Sequence, residues 1–175
     1  MTKKICILCL VLIFVIFPIT VYGADNSTVI LRFPVGEPYY FIDNMKYSMD
    51  AGTYISDSSS STMVPVKYLV EAMNIGYQNS RNQIHTGWDS ATNASTLYIN
   101  TNKSIQFTAS SSIMFIDSTP VQMLSASRLP SEAEIKGEAG HERMYVPFRA
   151  FGMAVGVPVD WDEATRTAIY TLSLW

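Results

Sequence analysis

The sequence predicts an α+β protein made of two repeated units, each a twisted antiparallel β-sheet packed around one α-helix. Three observations point there. Val64-Pro65-Val66-Lys67 opens a segment that reaches Trp88-Asp89-Ser90-Ala91-Thr92, and Val146-Pro147-Phe148-Arg149 opens another that reaches Trp161-Asp162-Glu163-Ala164-Thr165. After each Val-Pro pair, apolar residues recur at helical spacing. Around these helices, short β-branched and aromatic runs are separated by turn residues. The expected organisation is a leader at 1–23, a first unit at 24–100 and a second at 101–175.

In the first unit, Val29-Ile30-Leu31-Arg32-Phe33 reads as a strand, and Pro34 to Pro38 turns the chain. Tyr39-Tyr40-Phe41-Ile42 is a second extended run, closed by Asp43-Asn44. Met45 to Tyr54 reads as a weaker strand or an extended connection, and the Ser/Asp run from Ser56 to Ser61 as a loop that does not pack. Pro65 suits the first helical position, where its missing N–H leaves no bond unmade. From there Val66, Leu69, Ala72 and Met73 share one helical face, while Lys67 and Glu71 face outward. Asn74 and Gly76 tolerate the left-handed conformation that ends helices. A hairpin should follow, with its strands on either side of Asp89–Asn93 and Ser95 to Ile99 as the second of them.

The second unit repeats the order. Ile105-Gln106-Phe107 and Ile113-Met114-Phe115-Ile116 correspond to the early strands, and Val121 to Leu124 to the weaker one. A helix is expected from Pro147 to about Val155, ended by Gly156, with Phe148, Phe151 and Val155 inward. Arg166 to Leu174 closes the unit as a strand. The offset between copies is 74 at the early strands, 82 at Val-Pro and 73 at Trp-Asp. Insertions at Arg128–Arg143 and Asn79–Gly87 account for the changes, and loops absorb such length cheaply. The acidic insertion Arg128–Arg143 is expected to be solvated, since its spacing fits no EF-hand loop.

The amino terminus reads as an export signal. Lys3 and Lys4 precede an apolar run of 13 residues, Ile5 to Phe17, which lies within the roughly 7–15 of a signal core. Val21 and Gly23 can flank a cut after Gly23. The competing reading is an uncleaved anchor, because the run extended to Tyr22 reaches 18 residues, at the lower edge of the roughly 17–25 that span a bilayer. Both cysteines, Cys6 and Cys9, belong to this segment, so the exported part has no thiol and no disulfide. That usage suits a secreted or surface-associated protein of a Gram-positive bacterium. The whole chain carries a formal charge of −3, and losing Lys3 and Lys4 leaves −5. Mild acidity argues against a nucleic-acid groove and against a polybasic membrane patch, so no membrane contact is expected beyond the leader.

Val-Pro-(Val/Phe)-(Lys/Arg), an apolar helix with Ala and Gly near its end, Trp-Asp-x-Ala-Thr and a closing strand recur in that order. This pattern resembles the copper amine oxidase N-terminal domain-like family, also called stalk domains, in two tandem copies from about Leu31 to Leu174. The resemblance implies a small antiparallel sheet around one helix, in an exported protein. It implies no metal, cofactor or catalytic residue, because copper and quinone belong to a separate domain of the amine oxidases. In place of the Asn-Gly-Arg-type turn frequent in that family, this chain has Ser58–Thr62 in one copy and His141-Glu142-Arg143 in the other.

The residues themselves also argue against catalysis. His85 and His141 are the only histidines and neither has a second His at helical spacing, so no metal site is expected. The serines of Ser58–Ser61 and Ser110–Ser112 sit in loop-like stretches without a nucleophile elbow. Pro65, Trp88, Asp89, Pro147, Trp161 and Asp162 read as structural: the prolines start helices, the aspartates cap turns, and the tryptophans bury their rings. Tyr39, Tyr40 and Tyr77, with Trp175, are the candidates for stacking on a sugar or a partner. Adjacent Tyr39 and Tyr40 must point to opposite faces. The expected function is therefore an exported, non-catalytic cell-envelope module that scaffolds or binds wall polymer or an envelope protein. The alternative is a wall-glycan hydrolase using Asp89 and Asp162 as paired carboxylates.

Overall fold

The structure, a computed structural model, describes residues 27–78, 83–100 and 102–174. The leader with its expected cut after Gly23, four residues of the 79–87 insertion, and Trp175 lie outside the described residues.

Alternation of period two decides most of the strands. In β1 (Thr28–Pro34) Leu31 and Phe33 are buried, while Ile30 is exposed. β2 (Tyr39–Ile42) buries Tyr40 and Ile42 and is followed by β3 (Met45–Ser48). Asp43 turns this hairpin at φ 52°, and its Oδ1 accepts the Ile30 N–H at 2.9 Å. Asp117 does the same later at φ 49°, accepting the Ser104 N–H at 2.7 Å. Next come β4 (Tyr54–Ile55), β5 (Thr62–Pro65), α1 (Val66–Gly76), β6 (Ile84–Asp89) and β7 (Ala94–Ile99). After residue 100 the chain forms β8 (Lys103–Thr108), β9 (Ile113–Ile116), β10 (Thr119–Gln122), β11 (Glu134–Lys136) and β12 (Arg143–Pro147). It ends with α2 (Phe148–Val155), β13 (Val159–Asp162) and β14 (Thr167–Ser173).

The fold is thus mixed α+β, with antiparallel sheets and two helices. One five-stranded sheet has the order β13-β14-β1-β2-β3, the other β10-β9-β8-β7-β6, and a four-stranded sheet runs β11-β12-β5-β4. Strand pairing differs from the expectation of one sheet per half. β1 pairs with β14 over seven positions, from Thr28↔Ser173 to Pro34↔Thr167, and β5 pairs with β12 at Val64↔Val146. Each five-stranded sheet therefore takes three strands from one half of the chain, and the first of them also takes its closing hairpin from the other. In the second sheet, hairpin β6–β7 precedes β8 directly. One continuous apolar core includes Leu31, Leu69, Met73, Phe107, Phe151 and Tyr170.

Several local expectations are corrected. Pro65 and Pro147 are not the first helical residues: both have extended backbone (φ −62°, ψ 128° and φ −60°, ψ 120°), end their strands and precede the helices. Their strand pairing in the four-stranded sheet holds them there. Gly156 does end α2 in the left-handed conformation, at φ 86°. Gly76 is different. It is the last residue of α1, but the cap that follows, Tyr77 at φ −76°, is not left-handed, and a Cβ on Gly76 would lie 2.7 Å from Leu172 Cδ1, so close approach to β14 is what favours glycine there. Asn74 does not end the helix either. Its side chain accepts the Ile84 N–H at 2.8 Å and donates to the Ile84 carbonyl at 2.9 Å, which pins the start of β6.

The serine-rich loop packs after all. Ser56, Ser59 and Ser61 are buried, and the Ser59 hydroxyl bonds that of Ser131 at 3.0 Å. The insertion 128–143 is likewise more than a solvated loop. It contributes β11, buries Ser131 and Ala133 completely, and offers Glu134 to the Tyr54 hydroxyl at 2.7 Å. Burial pushes Glu134 upward, but the Tyr54 and Lys136 hydrogen bonds outweigh it and hold the carboxyl below its ordinary value.

A second contact between distant parts of the chain is Asp50 with Arg143, whose Nη2 donates to Oδ2 at 2.5 Å and Nε to Oδ1 at 3.3 Å. The Arg143 hydrogen bond, assisted by Tyr68, holds the Asp50 carboxyl down at about 2. A depressed carboxyl stabilises the fold above its unfolded value near about 4, and that stabilisation is lost as pH falls through about 2. Asp50 is 47% exposed, so solvent screening limits the effect to about 1 kcal/mol or less. Urea midpoints of wild type and Asp50→Asn are expected to differ at pH 6 and to converge at pH 2. An equal gap at both would remove the ion pair from the stability account.

Candidate functional site

The β13–β14 hairpin is closed by Asp162, which accepts the Ala164 N–H at 3.0 Å and the Thr165 hydroxyl at 2.7 Å, with Arg166 turning at φ 49°. Asp89 does likewise between β6 and β7: it accepts Ala91 N–H at 2.9 Å and the Thr92 hydroxyl at 2.7 Å, with Asn93 at φ 50°. The threonine hydroxyl is the main reason each carboxyl lies below its ordinary value. A glycosidase acid needs the opposite shift. The two aspartates also sit on hairpins of different sheets. In both hairpins the carboxylate serves the turn.

The hairpin also positions Trp161. Its backbone lies opposite Ala168 in the β13–β14 ladder. The Trp161 N–H donates to Asp160 Oδ1 at 2.8 Å, and the indole Nε1–H donates to Glu163 Oε2 at 2.5 Å. The ring is half-buried against the core. With its N–H already bonded, what the indole offers a ligand is its apolar face.

Beside it runs a cleft of about 500 Å³. Trp161, Val159 and the buried Phe148 supply apolar wall, and Ser60 to Thr62 also line it. Arg149, second residue of α2, and Arg166 of the turn are both exposed at its rim. Neither guanidinium is paired with a carboxylate among the described residues. Ser61 Oγ is buried without a hydrogen-bond partner.

A smaller cleft of about 280 Å³ lies by Trp88, between Val66 and Lys67 of α1 and the segment Glu142 to Met144. It is built from the same kinds of element: a helix start, a tryptophan strand and the residues entering a central strand. Its chemistry differs, because Arg143 is committed to Asp50 and Trp88 is 53% exposed. The expected burial of both tryptophan rings is therefore corrected to one exposed and one half-buried.

The tyrosines separate. Tyr40 is fully buried, stacks on Phe33 and Tyr47, and donates to Glu71 at 3.1 Å, so its ring is not available for stacking on a ligand. Tyr77 follows α1 and packs partly buried against the core. Tyr39 lines a groove of about 450 Å³ on the outer face of the first sheet, but the Lys46 ammonium sits 3.5 Å over its ring. His85 is exposed on β6 and His141 is exposed before β12, and no cluster of three metal-ligating side chains occurs among the described residues. No helix among the described residues is long and apolar enough to cross a membrane.

Sequence reasoning missed Arg149, Asp160, Glu163 and Arg166 because it treated Trp161-Asp162 only as a turn. The available signal was the differing residues around the two tryptophans: Gly87-Trp88-Asp89-Ser90 in one, Asp160-Trp161-Asp162-Glu163 in the other.

The model of the family described as copper amine oxidase N-terminal domain covers residues 41–171 as a single stretch. No curated protein and no solved structure matches the chain.

Proposed function

We propose, from the premise that this chain belongs to the copper amine oxidase N-terminal domain family, that it is an exported module of the cell envelope that scaffolds or binds wall polymer or an envelope protein. The carrying observation is the family match, which spans most of the described chain and concerns a domain that performs no catalysis. The turn-bound state of Asp89 and Asp162 speaks against the glycan-hydrolase alternative. Export rests on the leader pattern of residues 1–23 and a Gram-positive surface on the absence of thiols beyond it.

Two tandem copies are part of this proposal. Supporting it, β1-β2-β3-β4-β5-α1-β6-β7 is followed by β8-β9-β10-β11-β12-α2-β13-β14, element for element. The sheet partners correspond as well: β1-β2-β3 adjoins β14-β13, and β8-β9-β10 adjoins β7-β6. The isolated bridges Val35↔Thr53 and Ala109↔Ala133 are both parallel and occupy corresponding places. In this arrangement the copies exchange their closing hairpins, so neither completes a core alone.

Purified exported chain is expected to co-sediment with Gram-positive cell walls without releasing sugar or peptide. Asp89→Asn and Asp162→Asn should pellet equally while folded. Release of reducing ends by the wild type, lost in either variant, would instead establish the hydrolase. Protein left in the supernatant would refute polymer binding.

A further inference from the structure

We propose that the cleft beside Trp161 binds an anionic saccharide, the ring stacking on the indole and its carboxylate held by Arg149 and Arg166. This deepens the envelope-binding reading and rests on it.

Three independent features of the cleft converge. The first is the platform. Trp161 is held at its backbone by Asp160 and at its indole nitrogen by Glu163, so the ring is set before a ligand arrives and little ordering cost remains. The second is the charge. Arg149 and Arg166 are the cations of this cleft, and both guanidiniums lack a carboxylate partner among the described residues. Asp160 and Glu163 also line this cleft and keep their charge; each accepts a hydrogen bond from Trp161, and neither is paired with either arginine. Arginine forks match a planar carboxylate in two-bond geometry. The third is the wall of hydroxyls at Ser60 to Thr62, with Ser61 Oγ buried and unbonded. Buried polar atoms are seldom left without a partner. A ring with apolar C–H faces, hydroxyl edges and one carboxylate uses all three, and a volume of about 500 Å³ falls in the range of small-ligand sites.

The Trp88 cleft is an internal comparison. It too has a tryptophan and two cationic residues, Lys67 and Arg143. Arg143 is held by Asp50, however, and among the described residues no hydrogen bond fixes the Trp88 indole, which stands more than half exposed. The proposal therefore assigns the ligand to the Trp161 side alone.

The test is calorimetric titration of the exported chain with trigalacturonate, with maltotriose as the neutral saccharide and triglutamate as the acidic peptide. Trigalacturonate is expected to bind at least about tenfold more tightly than either comparator. Its ring protons should shift upfield in NMR spectra through the indole ring current. Arg149→Gln with Arg166→Gln should weaken trigalacturonate binding by about tenfold or more with an unchanged Tm, since both side chains are exposed. Lys67→Gln, in the other cleft, should leave it unchanged. Equal binding of maltotriose would remove the charge argument, and preference for triglutamate would make the ligand a peptide. Unaltered affinity in the double arginine variant, or no ring-current shift, would overturn the assignment. Failure to bind trigalacturonate while walls still pellet the protein would overturn this cleft and leave the envelope reading standing. Failure of both would remove the two together.

Discussion

Phe151→Ala is expected to lower stability by about 3–5 kcal/mol, the usual cost of emptying an aromatic site in a packed core. Phe151 is completely buried in the middle of α2. Its ring stacks on Phe107 of β8 and on Tyr170 of β14, at 6.2 Å in each case. Those strands belong to different five-stranded sheets, so this one side chain ties both sheets to the helix. Collapse of the surroundings cannot close the cavity without moving one sheet relative to the other. Urea unfolding measures the loss, and Met153→Ala is the control: that residue is on the same helix but 69% exposed, and it should be nearly neutral. A drop under about 1 kcal/mol for Phe151→Ala would mean that the sheets do not share this core.

Gly152→Ala, at the adjacent position, is expected to destabilise by about 1–3 kcal/mol despite the better helix propensity of alanine, which alone favours the change by about 1 kcal/mol. A Cβ there would lie 2.4 Å from Val159 Cγ2 and 2.6 Å from Tyr170 Cε1. Tyr170 cannot step aside. Its ring stacks on Phe148 with centroids 3.7 Å apart, and its hydroxyl donates to the Phe148 carbonyl. Val159 is held in β13 opposite Tyr170. Gly76→Ala is the informative contrast, because there the nearest atom is the far end of the Leu172 side chain, which can rotate. Thermal melts should rank Gly152→Ala well below Gly76→Ala. The reverse order, or a stabilised Gly152→Ala, would show that α2 does not approach β14 so closely.

Much of the secondary structure was legible in the chain because it depends on neighbours. Leu31 and Phe33 alternate with Ile30 and Arg32, and Leu69, Ala72 and Met73 recur at helical spacing, whatever they later pack against. Asp89 and Asp162 bond residues two and three positions on, so their turns need no distant partner. Other readings failed where a distant contact outweighed local preference. Pro65 reads as a helix start, yet pairing with Tyr145 keeps it extended. Ser59 reads as loop, yet Ser131, 72 residues away, satisfies its hydroxyl and lets it be buried. Gly76 does end α1, yet crowding by Leu172 and not a left-handed backbone is what calls for glycine there.

The cleft was the least legible part. Trp88 and Trp161 share the Trp-Asp-x-Ala-Thr pattern but differ in their flanking residues, and what those differences do shows only in the hydrogen bonds of Asp160 and Glu163 and in the contrasting fates of Arg143 and Arg149. By itself the sequence determined the periodicities, the turns, the α+β class and the family. The tertiary structure decided which strands are neighbours, which glycines are too crowded for a side chain, and which tryptophan is held as a platform. The division has a physical cause: alternation tells a strand which face to bury but carries no information about its partner, and that choice is made by packing between residues far apart in the chain.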